Sequence, residues 1–109
     1  MLGGRNVKAV VYARVVGWDQ TEALRAQVAA GTAKARELGA ETVEVLQDTF
    51  GGASLERPAM SRLRDMVRSG DVNLVVAAGP GELSPDAHDL SALESEFQEH
   101  HVTLAFVAS

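Results

Sequence analysis

The sequence predicts an α/β fold of three layers, in which a mostly parallel sheet of four or five strands lies between two layers of helices. Apolar, β-rich segments alternate along the chain with segments of helical period, in the order βαβαβαβ. The connections are short, which favours parallel strands joined by crossover helices. A chain of 109 residues is long enough for one domain, which we expect to span residues 1–109.

The first strand is predicted at residues 8–15, a largely apolar segment of the kind that is covered on both faces. Asp19 and Glu22 have the spacing of a capping box and predict the start of a helix. The apolar stripe of this helix is formed by residues four and three apart: Leu24, Val28, Gly31, Ala35 and Leu38. Gly39 is expected to end the helix in the left-handed conformation. A second strand is predicted at residues 42–47.

A loop containing two glycines follows at residues 48–54, and Pro58 then suits the first turn of a helix, where its missing N–H has no partner to lose. The triplet Gly79-Pro80-Gly81 is expected to end the third strand. Ser84 is predicted as the N-cap of the last helix. The third and fourth strands are predicted at residues 73–78 and 102–107.

Charge is distributed unevenly along a chain whose net charge is −5. Residues 1–70 contain all ten Lys and Arg and eight acidic residues, whereas residues 71–109 contain seven acidic residues and no Lys or Arg. Nucleic acids bind mainly through Lys and Arg contacts to phosphates, so direct DNA binding by this chain alone is not expected. The acidic third is interpreted as a solvated helix surface that keeps the protein soluble.

Several classes of site are excluded by composition. The absence of cysteine excludes disulfides, thiolate zinc sites and a cysteine nucleophile. No apolar run approaches the roughly 18 residues of a membrane helix, and the start lacks a secretory signal, so a cytoplasmic location is expected. His100 and His101 are adjacent and point in different directions at a helix end, which argues against a metal site. No cofactor is expected, because the Gly79–Gly81 triplet lacks the Lys-Ser/Thr that completes a phosphate-binding loop.

Motifs at the carboxyl ends of the predicted strands resemble one known family. The segment YARV at residues 12–15, Gln20, Gln27 and the segment DTFGGASLERP at residues 48–58 resemble the catalytic domain of the serine recombinases, the resolvases and invertases. The Leu83-Ser84 step and the final TLAFV strand are similar too, so that the resemblance covers nearly the whole chain in the same order. It implies a resolvase-like fold. In that family a dimer helix and a DNA-binding domain follow the last strand, and neither is expected within residues 1–109.

The resemblance implies phosphoryl transfer in DNA, in which a serine attacks the scissile phosphate and arginines stabilise the charge of the transition state. Arg14 and Arg57 match two of the family's arginines. The residue after YARV is Val16 instead of the nucleophilic serine, and Glu82 and Pro85 stand where the family has arginines. The residues of this degenerate site are therefore Arg14, Val16, Gln27, Asp48, Arg57 and Glu82.

These replacements predict that the chain lacks recombinase activity. Valine cannot form the covalent intermediate. A Glu82 carboxylate about 5 Å from a phosphate would repel it by roughly 3 kcal/mol at an effective dielectric constant near 20. The predicted function is an inactive resolvase-like module that binds a protein partner or forms a homo-oligomer. Two alternatives stay open: DNA cleavage and joining through a displaced serine such as Ser54, and binding of a small ligand or nucleotide by a flavodoxin-like domain.

Three side chains near the predicted site have a structural and a functional interpretation. Arg14 and Arg57 are candidates for a small anion site, but pairing with Asp48 or another carboxylate is favoured, because without the serine they need only hold the loops together. Trp18 is a candidate interface residue, since an exposed tryptophan on a loop often anchors a protein contact. Packing of Trp18 over the edge of the sheet, against Phe50, is an equally good interpretation.

Overall fold

Strands and helices alternate along the chain in the computed structural model, which describes residues 6–15, 20–49 and 57–107. None of the helices in these residues is long and apolar enough to cross a membrane. The elements in chain order are β1 (Lys8–Arg14), α1 (Thr21–Glu37), β2 (Thr42–Asp48), α2 (Pro58–Ser69), β3 (Leu74–Ala77), α3 (Pro80–Leu83), α4 (Ala87–Glu99) and β4 (Thr103–Phe106).

The strands form one parallel sheet in the order β2-β1-β3-β4. β1 lies in the middle, where it pairs along its whole length with β2, from Lys8 opposite Thr42 to Arg14 opposite Asp48. Its pairing with β3 stops earlier, at Val11 opposite Val76. The α/β class predicted from the sequence is confirmed, with four strands in the sheet.

Each face of the sheet carries its own apolar core, because successive strand residues point to opposite faces. Ala9 and Val11 of β1 pack on the side of α1, whereas Val10 and Tyr12 pack on the side of α2, α3 and α4. These four β1 side chains are at most 1% exposed. The helices on both faces make the fold a three-layer α/β/α arrangement, as the apolar character of the first strand predicted.

Helix α1 lies unusually close to the sheet at Gly31. A Cβ atom at this position would lie 2.5 Å from Cγ1 of Val11, a distance that requires the buried valine to move. This contact explains why a glycine occurs within the apolar stripe of a helix. The helix ends as predicted, with Gly39 in the left-handed region at a φ of 98°.

The Gly79–Gly81 triplet lies beyond the end of β3, as expected, and its Pro80 occupies the first turn of the short helix α3. Two N-cap predictions are wrong. The N-cap of α1 is Gln20, without a side-chain hydrogen bond, so the helix begins one residue later than the Asp19 capping box predicts. The N-cap of α4 is Asp86 rather than Ser84, and its Oδ1 accepts a hydrogen bond from the Asp89 N–H at 2.9 Å.

Candidate functional site

The candidate site lies at the carboxyl ends of the strands, where parallel α/β folds usually place their ligands. Arg14 ends β1, Asp48 ends β2, and Arg57 immediately precedes α2. The short helix α3 follows the carboxyl end of β3. The charges of Asp48, Arg57 and Arg14 all act on the buried phenol of Tyr12, so the topology brings these side chains into one cluster.

Asp48 fixes the start of α2. Its Oδ1 accepts a hydrogen bond from the Ala59 N–H at 3.0 Å, and its Oδ2 accepts one from the Met60 N–H at 3.0 Å. These N–H groups belong to the first turn of α2, where the helix provides no acceptor of its own. The carboxylate is 5% exposed and lies at the positive end of the helix dipole. A side chain from the end of β2 therefore caps a helix that begins ten residues later.

Tyr12 links Asp48 to Arg57. Its hydroxyl donates a hydrogen bond to Oδ2 of Asp48 at 2.6 Å and accepts one from Nη1 of Arg57 at 2.8 Å. The side chain is fully buried on the α2 face of β1. Burial raises the pKa of Tyr12 above its usual value, and the hydrogen bond to Asp48 raises it further. The phenol is therefore held protonated, as a hydrogen-bonding group inside the fold.

Arg57 directs its guanidinium into the protein. The residue is 2% exposed; Nη1 donates to the Tyr12 hydroxyl, and Nη2 donates to the backbone carbonyl of Leu83 at the end of α3. The guanidinium carbon lies 5.8 Å from the centre of the Tyr12 ring, within the range of a cation–π contact. Burial lowers the pKa of Arg57, although arginine stays charged in proteins. Arg57 thus joins β1, α2 and α3.

Arg14 and Gln27 are joined through the backbone. The Arg14 N–H donates to Oε1 of Gln27 at 3.0 Å, and Nε2 of Gln27 donates to the Arg14 carbonyl at 2.9 Å. The pairing of β1 with β3 has already ended at Val11, so the Gln27 amide satisfies backbone groups that a longer β3 would satisfy. Arg14 is 8% exposed. Burial lowers the pKa of Arg57 most, and the positive charge of Arg14 lowers it further.

Glu82 and Ser84 belong to the α3 segment. Glu82 is half-buried and precedes Leu83, whose carbonyl accepts from Arg57. Ser84 is 3% exposed, and its Oγ accepts a hydrogen bond from the Asp86 N–H at 3.1 Å. This hydroxyl therefore serves a turn between α3 and α4. In the described parts of the chain, no group of three or more histidine and acidic side chains is arranged to hold a metal ion.

Several residues considered in the sequence analysis lie outside the described residues. They are Val16, Trp18, Asp19, Phe50, Ser54 and the loop glycines Gly51 and Gly52. The interface interpretation of Trp18 and the displaced-nucleophile interpretation of Ser54 stay predictions.

Sequence reasoning missed the role of Tyr12. The sequence analysis favours pairing of Arg14 and Arg57 with Asp48 or another carboxylate, but Tyr12 enters it only as one letter of the YARV motif. In an otherwise apolar strand, a tyrosine is naturally assigned to the core. One signal was available: a buried phenol needs a hydrogen-bond partner, and Tyr12 shares its face of β1 with Arg14, which lies opposite Asp48 at the end of β2.

The hydrogen bonds of the cluster lie within the fold. Its carboxylate is occupied by two N–H groups and the phenol, and the phenol is held protonated. The Arg57 guanidinium donates to two acceptors of the chain itself. Buried charges are tolerated when they are paired and hydrogen-bonded in this way.

Comparisons with known proteins agree on one family. The sequence model described as "Resolvase, N terminal domain" matches residues 9–109. Among solved structures, the C-terminal catalytic domain of ISC1926 TnpA, an IS607-like serine recombinase, is 30% identical with a TM-score of 0.84, and the match covers 93% of this chain and 67% of that one. No curated protein matches the chain.

Two further structures have the same fold. The N-terminal catalytic domain of TP901-1 integrase is 26% identical with a TM-score of 0.80, over 93% of this chain and 77% of that one. A resolvase family site-specific recombinase from Streptococcus pneumoniae is 23% identical with a TM-score of 0.77, over 94% of this chain and 73% of that one, and this likeness concerns the fold alone. With a family match across nearly all of its length and strand-end motifs in the family's order, the chain belongs to the resolvase family of serine recombinases.

Proposed function

We propose that this chain is a serine recombinase domain that does not cleave DNA and that acts by binding protein, either a second copy of itself or another partner. The observation that carries the proposal is the position of Arg57. The family resemblance assigns this arginine to the scissile phosphate, yet here it is 2% exposed and donates to Tyr12 and Leu83. Two of its N–H groups are therefore engaged inside the fold, and little of the side chain is accessible from solvent.

Sequence positions around the cluster support the same conclusion. Val16 occupies the place of the nucleophile and has no atom that can attack phosphorus. Glu82 and Pro85 replace two arginines, and Glu82 brings a negative charge to the helix that Arg57 contacts through Leu83. Transition-state stabilisation in phosphoryl transfer depends on positive charge near the phosphate. In this proposal the chain has lost the nucleophile and has less positive charge around the phosphate position.

The protein-binding part of the proposal is supported by what the chain retains. The described residues form a four-stranded sheet with an apolar core on each face, and the fold superposes on a serine recombinase catalytic domain with a TM-score of 0.84. A stable scaffold without the groups for its ancestral reaction is suited to presenting a surface. The acidic character of residues 71–109 disfavours nucleic acid as the partner of that surface.

A plasmid assay tests the absence of cleavage. We expect no relaxation of supercoiled DNA and no covalent protein–DNA adduct on a denaturing gel, with an active serine recombinase on its own recombination site as the positive control. The variant Val16→Ser is expected to stay inactive as well, because Arg57, Glu82 and Pro85 are unchanged. An adduct formed by the unmodified chain would contradict the proposal, and its loss in Ser54→Ala would identify the displaced nucleophile.

Protein binding is tested separately. Light scattering after size exclusion, together with affinity capture from the source cells, should reveal a discrete oligomer or a specific partner that is captured in stoichiometric amount. A chain that is monomeric at all concentrations and captures no partner would contradict the interaction role, whatever the result of the plasmid assay.

A further inference from the structure

Strand β2 forms one outer edge of the sheet. On its inner side, the Thr42 N–H donates to the Val7 carbonyl at 3.3 Å, and the Asp48 carbonyl accepts from the Val15 N–H at 3.2 Å. In a strand, the N–H and carbonyl of one residue point to the same side, and successive residues alternate. The backbone groups of every second residue from Thr42 to Asp48 therefore face β1.

The remaining β2 residues direct their backbone groups away from the sheet. These are Val43, Val45 and Gln47, and no strand of the described residues lies beyond them. Their N–H and carbonyl groups form a regular row that another strand could pair with. Because the pairing of β2 with β1 is continuous over seven residues, this row is not interrupted by a bulge.

Natural sheets usually protect such an edge, and the charged side chains of β2 are limited to Glu44 and Asp48. It contains no proline and no lysine, and it is seven residues long, whereas the opposite edge strand β4 has only four residues. Val45, at the centre of β2, is 37% exposed, and it is the most exposed large hydrophobic side chain among the described residues. Among the described residues, the longer edge thus has no partner strand and is apolar at its midpoint.

The sequence of β2 is compatible with antiparallel pairing to itself. Centred on Val45, such a pairing places Val45 opposite Val45, Val43 opposite Gln47, and Glu44 opposite Leu46, so no two acidic side chains face each other directly. Nζ of Lys8 lies 3.4 Å from Oε1 of Glu44 and offsets its charge. In this pairing the two Val45 side chains contribute an apolar cross-strand contact at the centre.

We propose that β2 pairs antiparallel with β2 of a second copy about a two-fold axis at Val45, forming one continuous sheet through both molecules. A two-fold interface uses the same patch on each copy, which is the arrangement that a self-complementary strand produces. The inference rests on the proposed protein-binding function and names its surface and its partner.

The test uses opposite charges at the central position. Val45→Lys and Val45→Glu each place like charges face to face, and we expect each to raise the dimer Kd by at least about tenfold, as measured by sedimentation equilibrium from micromolar to millimolar concentrations. An equimolar mixture of the two variants places lysine opposite glutamate, and we expect it to recover the dimer. Ala33→Lys, at an exposed position of α1, is the matched control and should dimerise like the unmodified chain.

Each outcome is decisive for the inference. Circular dichroism of both Val45 variants should show the unmodified fold, because the residue is partly exposed on an edge strand. An unmodified dimer that resists both substitutions, or a mixture that stays monomeric, would overturn pairing through β2 and leave the proposed function in place. An unmodified chain that is monomeric throughout would overturn the inference too, and the proposed function would then depend on capture of a different protein.

Discussion

At the scale of single residues, the hydrogen bonds that link Arg57, Tyr12 and Asp48 show how a buried cation is accommodated by groups of the protein itself. The guanidinium and the carboxylate have opposite charges and are joined through one phenol, with hydrogen bonds of 2.8 and 2.6 Å. Hydrogen bonds to charged groups stabilise by about 1.5–3 kcal/mol, which is more than a neutral pair contributes. Tyr12 therefore matters for stability beyond the apolar area it buries.

Replacing Tyr12 with phenylalanine tests this role. The variant Tyr12→Phe removes the acceptor of Arg57 and one donor to Asp48 while keeping the ring in place, and we expect a loss of about 2–4 kcal/mol in the free energy of unfolding. Urea denaturation measures the change. Ser69→Ala also removes one hydroxyl, but from an exposed residue at the end of α2, and should cost less than about 0.5 kcal/mol.

The pH dependence of the same variant separates the hydroxyl from the packing of the ring. The pKa of Tyr12 is raised in the folded state, so its contribution is fully present below the unfolded value of 10.0 and is lost as the pH rises above it. Tyr12→Phe should lack this alkaline decline. An equal decline in both proteins would show that Tyr12 is not its source.

At the scale of elements, α2 and α4 are joined by one carboxylate. Glu96 of α4 accepts from Nε and Nη2 of Arg64 at 2.9 and 3.1 Å and from Nη2 of Arg68 at 2.9 Å. The sequence analysis interpreted the acidic residues of this helix as solvated, but the Glu96 side chain is only 15% exposed and lies between two arginines. Composition could not show this, because the arginines belong to a different helix.

The variant Glu96→Gln should lower the free energy of unfolding by about 1 kcal/mol at neutral pH, since a network of three charges contributes more than an isolated surface pair. Burial raises the pKa of Glu96, but the hydrogen bonds and charges of Arg64 and Arg68 outweigh it and leave the pKa below 4.5. The contribution is therefore present above pH 4.5 and disappears as the pH falls through the lowered value.

Urea denaturation of both proteins at neutral and acidic pH measures the difference. Glu94→Gln changes an exposed carboxylate of the same helix and should be neutral at both pH values. A difference between Glu96→Gln and the unmodified chain that persists at pH 2 would contradict the ionic origin of the contact.

The order of the elements could be predicted from the sequence because strand and helix periods differ clearly. The exact helix starts could not, because neighbouring residues are comparably good N-caps. Ser84 and Asp86 are both good N-cap residues, and Pro85 between them suits a first helical turn, so local chemistry alone did not favour Asp86. Similarly, Gly79-Pro80-Gly81 has the composition of a turn, and only the surrounding fold stabilises α3. At the site, the strand-end positions of Arg14 and Asp48 predicted that the cluster forms. The direction of the Arg57 guanidinium could not be predicted, because it depends on Tyr12 and Leu83, which lie far from Arg57 in sequence.

At the scale of the whole molecule, the net charge opposes dimer formation, whereas the β2 edge favours it. Each copy carries a net charge of −5, so two copies repel each other at any interface. The β2 edge contributes backbone hydrogen bonds and apolar contact at Val45, neither of which depends on salt bridges between the copies. Salt should therefore affect the dimer mainly by screening repulsion.

We expect the dimer Kd to fall by about two- to tenfold as the NaCl concentration rises from about 0.01 to 0.15 M, because the screening length shortens from about 30 to 8 Å. Sedimentation equilibrium at several salt concentrations measures the trend. Ala33→Lys makes the net charge of each copy less negative. The dimer Kd of this variant should depend less on salt, since less repulsion is left to screen. A dimer that dissociates as salt is added would instead be held by ion pairs between the copies, and an interface centred on Val45 would not explain it.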